Sequence, residues 1–80
     1  MKIPAIKKLV ENYNLHELMA AEEAIVDEQQ PAIEVEGEDE GEQLTHVLAA
    51  VWILNDMEDN GNDFKTSLRE YTKKVRVSIS

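Results

Sequence analysis

Apolar residues along this chain change their period several times, and each change predicts an element. From Ile3 to Glu11, the residues Ile3, Ile6, Leu9 and Val10 recur at the spacing of one helix face and leave Lys7, Lys8 and Glu11 outward. Pro4 suits the first turn, where a missing N–H costs no hydrogen bond, and Asn12-Tyr13-Asn14 stops the pattern. Asn14 then reads as the cap of a second helix, with Glu17 three residues on completing a capping box. Leu15, Leu18, Met19, Ile25 and Val26 form the expected apolar stripe. Pro31 is the expected end, because a proline biases the residue before it away from the α region.

At Pro31 the period changes to two. In PAIEVE, Ile33 and Val35 point one way and Glu34 and Glu36 the other, and VRVSIS alternates likewise through Val75, Val77 and Ile79. The two pieces predict a short two-stranded β ribbon, residues 32–36 with 75–79. Such a ribbon is marginal alone and needs a helix to lie on.

Beyond the loop Gly37 to Gly41, a third helix is predicted to about Asn60, closed by Gly61 in the usual C-terminal cap position. One row of it is Leu44, Val47, Leu48, Val51 and Leu54; a second is Ala50, Ile53 and Met57; a third is Thr45, Ala49 and Trp52. A helix apolar on nearly every side must be buried on nearly every side. With only three other helices to cover it, self-association is expected, with Val51, Trp52, Ile53 and Met57 as the subunit contact of a homodimer. The last helix starts near Asp63. Phe64, Leu68, Tyr71 and Val75 make its apolar stripe, and Lys65, Arg69, Lys73 and Lys74 lie opposite. The expected fold is mainly α, one domain over residues 1–80, a compact bundle of about four helices.

Composition narrows the chemistry. The 80 residues include no cysteine, which removes disulfides, thiolate nucleophiles and Cys-type zinc sites. The opening residues hold no signal-peptide pattern, and the longest apolar run, Val47 to Leu54, falls far short of the roughly 20 residues that span a bilayer. A cytoplasmic location away from membranes is the expectation. Charge is segregated: residues 1–8 carry +3, residues 9–64 carry −16 with no lysine or arginine, and residues 65–80 carry +4, for a net −9. Such a surface repels nucleic acid, and the last helix is the one basic element through which a nucleic-acid regulator could act.

Three motifs carry candidate chemistry. Asp56-Met-Glu58-Asp-Asn60-Gly61 resembles the start of a calcium loop, but Ser67 stands where the bidentate glutamate belongs and Asp63 where an apolar residue belongs. A polar turn with a glycine cap and Asp63 capping the next helix accounts for the same residues. Glu42 and His46 share a helix face at i, i+4 and are the candidate metal ligands, yet no second half-site accompanies them; a structural histidine beside a buried helix is the competing reading. The acidic run is the third. Asp39 can cap the helix with Glu42 at N3. The remaining surplus over Glu36, Glu38, Asp39 and Glu40 suggests a docking surface for a basic protein, or for the chain's own basic ends. No catalytic spacing, phosphate loop or cofactor motif is present.

Taken together, EGEDEGEQLTHVLAAVWIL, IPAIKKLVENY and DFKTSLREYTKKVR resemble a family of small acidic bacterial proteins known only as a domain of unknown function. The resemblance implies a free-standing bacterial cytoplasmic protein and brings no activity, ligand or site residue. On this reading the chain is a non-enzymatic interaction or adaptor module acting as a homo-oligomer. The alternatives are a metal-binding protein using Glu42, His46 and the acidic loop, and a nucleic-acid-binding regulator.

Overall fold

In the computed structural model, which describes residues 2–79 and the side chains of residues 2–75, four helices surround a shared core. They are α1 (Ile3–Asn12), α2 (Leu15–Val26), α3 (Glu40–Asn60) and α4 (Phe64–Ile79). α3, about 30 Å long from its 21 residues, is the axis; α1, α2 and α4 each pack on it. Ile6, Leu9 and Val10 of α1 and Leu18, Ala21 and Ile25 of α2 meet Val47, Ala49, Ala50 and Ile53 of α3 in the core.

The near all-round apolarity of α3 is met within one chain. Val47, Ala49, Ala50 and Ile53 are fully buried, while Leu44, Val51, Trp52, Leu54 and Met57 pack at the core's edge. Leu48, 42% exposed, and the exposed Thr45 mark the side left open. Three short helices suffice because the linker also contributes: Ile33 and Val35 pack against the same core. The cover sought in a second chain is therefore largely supplied by the first.

Two local expectations are corrected. Among the described residues there is no β ribbon: 75–79 continue α4, and 32–36 is a loop that bends at 32–33 and has no strand partner. The alternation of PAIEVE still acts as it should, with Ile33 and Val35 half-buried and Glu34 and Glu36 exposed. One-sided burial does not require a second strand. In α2, Met19 and Val26 lie outside the stripe, 53% and 62% exposed, and Ala21 takes the inward position. The capping box at Asn14 forms as expected: the Glu17 N–H donates to Asn14 Oδ1 at 2.8 Å, and the Asn14 N–H donates to Glu17 Oε1 at 3.0 Å.

Candidate functional site

The most prominent concavity lies where α2 ends and α3 begins, and three backbone devices shape it. α2 ends at Val26, well before Pro31. The Gln29 N–H donates to the Ala24 carbonyl at 2.8 Å and the Glu28 N–H to the Ile25 carbonyl at 3.0 Å, a Schellman closure. It places Glu28 in the left-handed region (φ 61°), where glycine is usual. Gly37 has φ 155° and lies against α3 so closely that a Cβ would sit 2.7 Å from Gln43 Cγ and 2.8 Å from its backbone nitrogen. Asp39 caps α3, accepting the Glu42 N–H at 2.8 Å.

His46 fastens this corner. Its side chain is fully buried. Nε2 accepts the Lys2 N–H at 3.0 Å, which requires the proton on Nδ1, and Nδ1 donates to the Glu36 carbonyl at 2.7 Å. One neutral imidazole thus ties the start of α1 and the acidic linker to α3, with both nitrogens engaged. Glu42 is engaged elsewhere, accepting the Glu38 N–H at 3.2 Å. The candidate metal pair is divided between two structural tasks, and no three His, Asp or Glu side chains among the described residues gather to hold an ion.

The resulting open cleft has a volume of about 510 Å³, with Ile25, Pro31, Ile33 and Val35 among its apolar lining and Glu28, Glu34, Glu38, Asp39 and Glu40 as its carboxylates. Among the described residues no lysine or arginine lines it. Of the four docking residues read from the sequence, Glu38, Asp39 and Glu40 belong to the cleft, whereas Glu36 lies outside it and pairs with Lys8 at 3.4 Å. That exposed pair is where the acidic linker meets the basic N-terminal segment. Asp39 is occupied as a cap. Among the described residues, the carboxylates of Glu28, Glu34, Glu38 and Glu40 have no hydrogen-bond or ion-pair partner. Glu28 and Glu34 were not singled out beforehand. Their signal was their outward position at the end of α2 and in the alternating linker.

The other acidic turn, at the exit of α3, is differently arranged. Asp56 Oδ2 accepts the hydroxyl of buried Ser67 at 2.7 Å and the Asn62 amide at 3.1 Å, and Oδ1 accepts the Asn60 amide at 2.7 Å. The Ser67 bond, then that of Asn62, holds the Asp56 carboxyl below its ordinary range. The first and twelfth positions of the supposed calcium loop therefore meet directly, with hydrogen bonds in place of an ion. Gly61 caps α3 at φ 66°, and Asp63 caps α4 by accepting the Thr66 N–H at 2.8 Å; the Thr66 side chain, then this N–H, holds the Asp63 carboxyl below its ordinary range.

The residues expected at a subunit contact are placed as follows. Ile53 lies wholly inside the core, and Val51, Trp52 and Met57 are half-buried against it. Trp52 meets Tyr71 of α4 with ring centroids 5.6 Å apart, and burial raises the Tyr71 hydroxyl pKa. Among the described residues no helix is long and apolar enough to cross a membrane.

The chain belongs to the family of unknown function DUF6952, whose model matches residues 1–80. No curated protein and no solved structure matches it.

Proposed function

We propose that this member of a family of unknown function is a non-enzymatic protein–protein interaction module whose entrance cleft docks a basic segment. One observation carries the reading: four carboxylates without partners line a cleft together with Ile25, Ile33 and Val35, and no cation among the described residues lines it. Like charges held together along such a cleft repel one another, and a cationic ligand relieves that repulsion. The apolar lining of Ile25, Ile33 and Val35 suits apolar side chains, or the methylene stems of lysine and arginine. Exposed ion pairs supply roughly 0.2–1 kcal/mol each, so the acids provide steering and register while the apolar lining provides burial.

The test is titration of a short Lys/Arg peptide carrying leucines, followed by calorimetry at two salt concentrations. Binding should weaken as salt rises. Glu34→Gln, Glu38→Gln and Glu40→Gln together should weaken it about tenfold, the effect of three exposed pairs. Glu11→Gln, Glu23→Gln and Glu58→Gln, which remove equal charge from exposed positions outside the cleft, should change it far less. Equal losses in the two triples would reduce the cleft to a share of general acidity and end the reading.

A further inference from the structure

We propose that the segment docked in the cleft is the α4 face of a second copy of this chain, joined head to tail. This rests on the reading of the cleft as a site for a basic segment and names that segment.

α4 packs on α3 through Phe64, Leu68 and Tyr71. Lys65, Arg69 and Lys73 are exposed at i, i+4 and i+8, a straight basic line one turn apart. With Leu68 and Thr72 they line an open groove of about 420 Å³ that no acidic residue lines. Glu70 is the only acid on α4, 3.9 Å from Lys73, and that pair is exposed.

The two surfaces correspond in composition. Three cations over a Leu68 strip face four partnerless carboxylates over Ile25, Ile33 and Val35. Among the described side chains no α4 residue lines the cleft and no cleft residue lines the groove, so one chain carries both halves of a complementary pair without these closing on each other. A second copy is therefore an occupant that brings the complementary charge.

The contact is heterologous. A copy whose cleft is filled still presents its own α4, so association continues into rings or open chains instead of stopping at a symmetric dimer. The net −9 of every copy opposes it at long range. At about 0.1 M salt the screening length is roughly 10 Å, which damps that repulsion more than it damps pairs in contact. At about 1 M the contact pairs are screened as well.

Sedimentation equilibrium at about 0.1 M salt tests the proposal. The wild-type chain should gain mass with concentration and return to monomer at about 1 M. One variant carries Glu34→Gln, Glu38→Gln and Glu40→Gln; the other carries Lys65→Gln, Arg69→Gln and Lys73→Gln. Each alone should be monomeric, with association weakened at least about tenfold. Mixed in equal amounts they should form a one-to-one heterodimer and nothing larger, since one keeps only α4 and the other only the cleft. Circular dichroism melting of both variants establishes that they are folded. A wild-type chain that is monomeric throughout overturns the proposal, as do variants that self-associate unchanged or a mixture that stays apart. If the leucine-bearing basic peptide still binds that monomer, the docking reading survives and only the second copy falls. If the peptide fails as well, both fall. Salt-sensitive binding of a single-stranded oligonucleotide, lost in the α4 variant while no self-association occurs, would assign the basic face to nucleic acid and overturn the proposal.

Discussion

The two ends of α3 are built from the same materials and put to different uses. Each is an acidic turn containing a glycine with positive φ and an aspartate that caps a helix. At the exit, Asp56 accepts three hydrogen bonds, from Asn60, Asn62 and Ser67 of α4, and Asp63 closes α4, so these two carboxylates serve the fold, while Glu58 and Asp59 are exposed at the end of α3 and line no part of the cleft. At the entrance the turn is secured by a histidine, a glycine and a single cap. Glu28, Glu34, Glu38 and Glu40 are left over. The lesson is that acid density does not identify a site. What distinguishes a candidate surface from a turn is whether carboxylates that the chain has not engaged gather around one cleft.

Breaking the fastening of the entrance should have the largest effect. His46→Ala leaves the Lys2 N–H and the Glu36 carbonyl without their partner and opens a cavity in a fully buried position. A loss of about 2–4 kcal/mol is expected from urea unfolding. A loss under about 1 kcal/mol would mean that the histidine does not hold the corner.

Next comes a contrast between the two glycines. Gly37→Ala should cost about 2 kcal/mol, because the new methyl meets the backbone of α3 as well as an unfavourable φ. Gly61→Ala meets nothing within 4 Å and should lose only about 1 kcal/mol for the left-handed conformation. Equal losses would contradict the close approach of the linker at Gly37.

Glu28→Gly should act in the opposite direction. Glycine relieves the left-handed strain and stabilises the fold by up to about 1 kcal/mol, while the loss of a rim carboxylate weakens peptide binding. A strained residue retained for binding predicts that pair of results; a purely structural Glu28 would leave binding unchanged.

The smallest effect is at the exit and depends on pH. The Asp56 and Asp63 carboxyls titrate below their ordinary value in the folded chain. They therefore stabilise the fold above the ordinary carboxylate pKa near ~3.9 and lose that contribution as pH falls through their lower folded values. Thermal melting between pH 5 and pH 2 should show this loss. Asp56→Asn should have a lower melting temperature at pH 5 and a shallower fall on acidification. An unchanged slope would show that the Ser67 bond does not favour the ionised form.

Much of the fold could be read from local pattern. The apolar rows of α3, the Asn14 capping box, and the caps at Asp39, Gly61 and Asp63 each depend on residues a few positions apart, and each formed. What escaped depends on partners distant in sequence or on backbone geometry with no residue signature. VRVSIS alternates, yet residues 75–79 continue the helix already begun at Phe64, because a strand needs a partner and none is offered among the described residues. α2 ends at a glutamate in a conformation usual for glycine, so Pro31 was a misleading marker. The cleft was half visible: Glu38, Asp39 and Glu40 lie in the acidic run, while Glu28 and Glu34 join them only when the linker folds back. Lys2 and Glu36 lie 44 and 10 positions from His46, and nothing local announces either bond.

The contrast between entrance and exit can be read residue by residue. In an amide-resolved NMR titration with the leucine-bearing Lys/Arg peptide, shifts should be confined to residues 25–43 and saturate together. Residues 56–67, the other acidic turn, should stay still. Shifts at the exit turn of similar size, or shifts spread evenly over the acidic surface, would contradict the claim that the chain reserves its entrance for a partner.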